Sequence, residues 1–364
     1  MINIAAPVID SEERRAVDEV IESGMLAQGP KVAELEKNWA EYCGVKHALA
    51  VNSGTAAIHC ALYAAGVKEG DEVITTPYSF IATINPILML GARPVLVDID
   101  EETFNIDVSK IEAAITEKTK AIVPVDLYGQ PCDWAELQEI AKKHDLKIIE
   151  DACQAIGAEY KGIKAGALGD FGCFSLYATK NIMCGEGGIV TTNSDEASAA
   201  IRSFRQHGMV APYEYADLGY NYRMSDLHGA IAVEQLRKVD RFTAQRQRNA
   251  SLLNEALAGV KGIELPRVAD NRSHVYHQYT ILLDEGISRD EFVTKLREKG
   301  VGAGVYYPKP LHAYPHIAKL GYKVGDFPVA EDLAARVVSL PVHPKVTDED
   351  IEIIAAAVKE SVNG

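Results

Sequence analysis

The sequence predicts an α/β protein in two parts: a large domain built on a mostly parallel central sheet flanked by helices, then a smaller C-terminal α+β domain. Three observations carry this expectation. From Val45 to Asp151, short Val/Ile/Leu-rich runs alternate with helix-length segments, the order of a parallel sheet covered on both faces. The chain has 364 residues, 47% of them hydrophobic, enough to bury a sizeable core and to form a second domain. From about Thr243 the regular alternation ends, which sets the expected division as 1–242 and 243–364.

Taken in order, Asp10 and Glu13 have the spacing of a capping box and open a helix that Gly24 stops. The N-terminal helices could pack on the small domain. A second helix is expected from Val32 to Tyr42, with the loop MLAQGPK between the two. The sheet region then reads as HALAVNS, a helix Thr55 to Ala65, DEVITT, a helix Ser79 to Leu90, and ARPVLVDI. It continues with helix Ser109 to Thr116, TKAIVPVDL, helix Trp134 to His144 and LKIIED. Phe171 to Tyr177 and Ile189 to Thr192 are two further strands, broken apart by Gly185, Gly187 and Gly188. A helix over Asp195 to Gly208 precedes a Tyr-rich loop, and apolar spacing from Asp226 to Leu257 predicts one long helix joining the domains. Its basic run, Arg237, Lys238, Arg241, Arg246 and Arg248, reads as a solvated face. In the small domain HVYHQYTILL and GAGVYYP read as strands, Ser288 to Lys299 and Asp348 to Ser361 as helices.

Composition excludes several functions. The formal net charge is −15, so no broad basic surface awaits a nucleic acid. Six scattered cysteines, without paired or ligand spacing, read as buried free thiols in a reducing compartment, and no metal site is expected. Met1 to Ser11 lacks the pattern of an export signal, and no apolar run is long enough for a membrane span. The expectation is a cytoplasmic protein with no membrane partner.

The chemistry centres on Asp170 to Thr192, DFGCFSLYATKNIMCGEGGIVTT, and on Lys180 within it. Lys180 stands on a polar turn between two strands, where partial burial would lower its pKa and leave the amine free to attack a carbonyl. Asp151 falls at the carboxyl end of the strand LKIIED, the edge where ligands gather in open parallel sheets. In VNSGTAAI a strand end meets Ser-Gly-Thr and an Ala-rich helix start, so Gly54 and Thr55 offer N–H groups and a hydroxyl to an anion. An amine for an aldehyde, an acid for a pyridine nitrogen and a helix start for a phosphate are the three handles of pyridoxal 5′-phosphate (PLP).

Several motifs then agree in order: QGP at Gln28, NSGTAA at Asn52, GDEVITTPYSF at Gly70, EDACQAIGA at Glu150, FSLYATKNIMCGEGG at Phe174 and GYNYRMSDL at Gly219. Over nearly its whole length the chain resembles the DegT/StrS family of sugar aminotransferases, within the fold-type-I PLP-dependent aminotransferases. The resemblance implies that Lys180 is the Schiff-base lysine and proton carrier and that Asp151 keeps the pyridine nitrogen protonated. It further implies that Phe80 stacks on the cofactor, that Gln154 lies over its other face or its hydroxyl, and that Ser175 binds the phosphate. Asn221 would reach the phosphate of the neighbouring subunit in a homodimer with shared sites, and His312 would line the substrate pocket. The implied reaction moves an amino group from an amino acid, L-glutamate, to a keto-sugar on a nucleotide diphosphate. GEGG and GYNYRM resemble members that aminate carbon 4 of the sugar, whereas GVYYPKPLH resembles members that aminate carbon 3. Sugar dehydratases of the family replace the lysine by histidine, so Lys180 argues against that activity. A PLP-binding regulatory protein and a non-sugar PLP enzyme are the alternatives.

Overall fold

The computed structural model describes residues 1–363. Seven strands form the central sheet: β1 (His47–Val51), β2 (Glu72–Thr75), β3 (Arg93–Leu96), β4 (Thr119–Val123), β5 (Lys147–Asp151), β6 (Phe171–Ser175) and β7 (Gly188–Thr192). Their spatial order is β1-β7-β6-β5-β4-β2-β3. All neighbours from β6 to β3 pair in parallel, and β7 alone runs against both β6 and β1. The carboxyl ends of β1, β5 and β6 therefore share one edge with the start of β7, where Gly188 pairs with both Val51 and Ser175.

Helices cover both faces because the strands are apolar on both. Trp39 of helix Pro30–Cys43 meets Phe174 of β6 edge-on at 5.2 Å on one face. Helix Gly54–Ala64 packs its buried residues Ile58, Ala61 and Leu62 against the other. Trp134 opens helix Trp134–His144 and fills a third cluster with Ile122 and Ile148. The capping box at Asp10 and Glu13 is present, and Gly24 ends that helix in the left-handed conformation that favours glycine.

The small domain is a three-stranded antiparallel sheet, Ile263–Glu264, Tyr279–Leu283 and Val337–Leu340, backed by helices Arg289–Glu298 and Asp348–Asn363. Residue Ile2 bridges to Val301 in this domain, whereas the first helix, Ser11–Ser23, contributes Ala16 and Val20 to a cluster with Ala230 in the large one. Among the described residues no helix is long and apolar enough to cross a membrane.

Four elements differ from expectation. The long helix is two, Asp226–Leu236 and Val239–Leu257; at the junction the Lys238 N–H donates to Gln235 O at 3.0 Å, while its ammonium holds Glu13 at 2.7 Å and Asp10 at 3.1 Å. The second of them sends Phe242 into the large core and Ala250, Leu253 and Leu257 into the small one, so it connects the domains as expected. Ser79 to Leu90 is a short turn, Ile81–Thr83, followed by helix Asn85–Met89 with Pro86 in its first turn. Ser109 to Thr116 holds two single turns, and GAGVYYP makes only an isolated bridge from Gly304 to Ser339. Arg246 also departs from the solvated face: it is buried and donates to the carbonyls of Tyr276 and His277.

Candidate active site

At the shared edge lies a cavity of about 490 Å³, and seven of the nine expected site residues line it: Gly54, Thr55, Phe80, Asp151, Gln154, Ser175 and Lys180. Topology explains the gathering, since β1, β5 and β6 end there and each delivers its next residues into the same space.

Ser53 caps helix Gly54–Ala64 by accepting from the Ala56 N–H at 3.1 Å. The N–H groups of Gly54 and Thr55 precede the first intrahelical bond and face the cavity edge without a helical partner. Gly54 is required by contact: a Cβ there would stand 2.9 Å from Ser175 Cβ and 3.0 Å from Cys153 Sγ. Absence of a side chain thus draws the helix start onto the end of β6. Ser175 accepts weakly from the Tyr177 N–H at 3.3 Å, which leaves its own O–H free to donate.

Asp151 is buried, with one oxygen accepting from Thr83 Oγ1 at 2.7 Å and the other from the Cys153 N–H at 3.2 Å. Gln154 is fixed at both ends, its Oε1 accepting from the Tyr128 N–H at 3.0 Å and its Nε2 donating to the Tyr307 hydroxyl at 3.1 Å. Phe80 is 55% exposed and its ring lies nearly parallel to that of Tyr307, 29° apart at 6.1 Å. An aromatic face so open is available for stacking.

Lys180 is held by its backbone, whose N–H donates to Tyr177 O at 2.9 Å, while Ala178 and Cys184 bond across the turn to Gly185 and Leu176. Its ammonium makes no ion pair among the described residues. Burial pushes the lysine pKa down, opposed by the fields of Cys153 and Asp151. His277 is likewise kept neutral, well below the usual histidine range, by burial and by the charge of Lys180.

Two expected residues lie elsewhere. His312 is fully buried, with Nε2 2.9 Å from Glu331 Oε1 and its ring edge-on to Phe327, so in this chain it packs behind the small domain's loop and does not line the cavity. Asn221 is exposed and stands outside the cavity of its own chain, its carbonyl accepting from Asn52 Nδ2 at 3.2 Å. Conversely, Thr83, Cys153, His277 and Tyr307 line the cavity and were not singled out by sequence. Cys153 sits inside the EDACQ motif and was within reach; the others carry no local signal.

PLP fits this donor set. The space between Gly54 and Ser175 suits a phosphate, the amine of Lys180 makes no ion pair among the described residues, and Asp151 presents a carboxylate anchored at both oxygens in the same cavity.

A model of the DegT/DnrJ/EryC1/StrS aminotransferase family matches residues 7–359. The chain belongs to that family. As a DegT/DnrJ/EryC1/StrS aminotransferase it is a PLP-dependent transaminase, and the fold described above is the family's. It is 41% identical to GDP-perosamine synthase of Caulobacter vibrioides, covering 99% of this chain and 98% of that protein. It is 44% identical to the pleiotropic regulatory protein of Geobacillus stearothermophilus, covering 96% and 94%. DesV of S. venezuelae, solved in complex with a ketimine intermediate, superposes with a TM-score of 0.94 at 34% identity, covering 99% of both chains.

Proposed function

We propose that this aminotransferase moves an amino group from L-glutamate to a keto-sugar carried on a nucleotide diphosphate, forming an amino sugar. The observation that carries the reading is the meeting of Lys180, Asp151 and the Gly54–Ser175 cradle around one cavity that opens outward past Phe80. The relative named GDP-perosamine synthase supports a sugar nucleotide as acceptor, since this chain matches it from end to end.

Bound PLP supplies an aldehyde that carries the amine and a ring that accepts negative charge. Gly54, Thr55 and Ser175 would hold its phosphate, Phe80 and Gln154 its ring, and Lys180 its aldehyde. Asp151 would lie against the pyridine nitrogen, where its carboxylate would favour a proton on that atom as negative charge develops elsewhere. Once released by the donor's amine, Lys180 Nζ takes the proton from the donor's α-carbon and gives it up again as an acid. Its lowered pKa suits both tasks, because a permanently charged ammonium cannot accept a proton. The same amine serves the acceptor half in the opposite direction.

Asn221, exposed and outside its own cavity, supports a homodimer in which it reaches the phosphate of the neighbouring subunit. A mixture of Lys180→Ala and Asn221→Ala chains, refolded or co-expressed together, should regain activity through one intact site per mixed dimer; no recovery would refute the sharing.

The relative named pleiotropic regulatory protein favours a second reading, a PLP-binding regulator. The intact pair of Lys180 and Asp151 weighs against it, because binding alone needs no proton carrier. The deciding experiment converts the enzyme to its pyridoxamine phosphate form with L-glutamate, removes the donor, and offers 3-keto and 4-keto nucleotide sugars separately. Return of the PLP absorbance with one of them identifies the acceptor and the carbon aminated. No return with either, and no response to glutamate, would leave the regulatory reading standing.

A further inference from the structure

We propose that Thr83 is a positioning residue for Asp151, backed by Ser79, and that this hydroxyl pair sets how firmly the enzyme holds the proton on the cofactor's pyridine nitrogen. The inference rests on the reading that Asp151 faces that nitrogen. Thr83 Oγ1 lies 2.7 Å from Asp151 Oδ2 and 2.8 Å from Ser79 Oγ, and all three side chains are buried against the cavity.

The direction of the chain of bonds follows from counting hydrogens. An ionised carboxylate only accepts, so the single Thr83 hydrogen goes to Asp151. Ser79 must then donate to Thr83, which has an acceptor lone pair left and no hydrogen to give. Each bond polarises the next, and in a buried setting the run Ser79 to Thr83 to Asp151 is stronger than its parts. Oδ1 is meanwhile engaged by the Cys153 N–H at 3.2 Å. With an anchor on each oxygen the carboxylate plane cannot rotate, and the remaining lone pairs keep one direction.

Placement adds a second point. Ser79 and Thr83 bracket Phe80, which caps the turn Ile81–Thr83, and just before this segment the carbonyl of Pro77 accepts from the Leu311 N–H of the small domain at 2.7 Å. The segment that offers a ring to the cofactor thus also fixes the acid. Pro86, in the first turn of the next helix, has no N–H to continue the helix expected from Ser79, so the chain turns here and leaves Thr83 beside Asp151.

The test compares Thr83→Val, which removes the hydroxyl at constant shape, with Thr83→Ser, which restores it, and Asp151→Asn as reference. Each holoenzyme is loaded with PLP labelled with ¹⁵N in the ring. Thr83→Val should move the ring ¹⁵N resonance toward the unprotonated position, weaken PLP binding and slow the glutamate half-reaction, each by on the order of tenfold for the latter two, with the KM for glutamate unchanged. Thr83→Ser should recover all three, and Ser79→Ala should shift them the same way by less. A wild-type resonance and half-reaction rate in a folded Thr83→Val, beside a displaced resonance in Asp151→Asn, would overturn the role of Thr83 alone. If Asp151→Asn also keeps the wild-type resonance, Asp151 does not face the nitrogen and the proposal falls with that reading.

Discussion

Gly54 and Ser175 are pressed together so closely that a Cβ on the glycine would stand 2.9 Å from the serine's own Cβ. The contact joins the start of a helix to the end of a strand, and it brings two free N–H groups and a free hydroxyl to one point. We propose this point, opened by the missing side chain, as the cradle for the cofactor's phosphate. Gly54→Ala should therefore push the helix start outward and weaken PLP binding by about tenfold to a hundredfold, as expected for strained or lost hydrogen bonds to a charged group. Fluorescence titration of the apoenzyme with PLP checks this.

Asp151→Asn should still bind PLP, because the amide keeps the shape and one acceptor oxygen. It should lose half-reaction rate by roughly 100- to 1000-fold, the scale of a deleted electrostatic contact at developing charge. Stopped-flow absorbance with glutamate measures it.

Lys180 carries a pH signature. Burial lowers its pKa, so as pH rises the neutral amine appears sooner than in an ordinary lysine. The rate at which apoenzyme bonds PLP should rise with pH and level off below the usual lysine range, and the plateau should vanish in Lys180→Arg. The linked effect on stability has the matching sign. With a folded pKa below the unfolded one, the unfolded chain binds more protons between the two, so the charged amine costs stability at low pH and the cost fades as pH rises. Lys180→Met should accordingly stabilise the apoenzyme at neutral pH by about 0.5–2 kcal/mol, the range typical of substitutions that trade function for stability.

Asp226 joins two motifs far apart in sequence. It is buried and its carboxylate accepts from the N–H groups of Gly29, Lys31 and Val32 at 2.8, 3.1 and 3.0 Å, capping helix Pro30–Cys43 from a distance. Asp226→Ala would strand those donors and should cost about 2–4 kcal/mol in urea unfolding. QGP and SDL thus have a structural reason to occur together.

Much of this was legible in the sequence where local chemistry and global role agree. Helix Trp134–His144 has its apolar spacing and its ends in the residues themselves. Lys180, Asp151, Gly54 and Ser175 lie at ends of apolar strands, and a parallel sheet brings such ends to one edge. His277 and Tyr307 were not legible, because the segments that carry them reach the cavity only through domain packing, and Thr83 was not because a threonine in a short turn carries no local sign that Asp151 lies beside it. His312 shows the opposite limit. A histidine in a Pro-rich loop looks the same in sequence whether it lines a pocket or pairs with Glu331 behind it. The break at Arg237 and Lys238 was hidden because apolar spacing continues in phase across it, from Leu236 to Val239 and Phe242.

The claim at the centre is that Lys180 is the residue that holds PLP. Borohydride reduction of the holoenzyme, followed by peptide mapping of the fixed pyridoxyl group, tests it most directly. The account predicts one label per chain, on the peptide containing Lys180, and none in Lys180→Ala although that variant stays folded. A label on any other lysine, or wild-type turnover by Lys180→Ala, would contradict it.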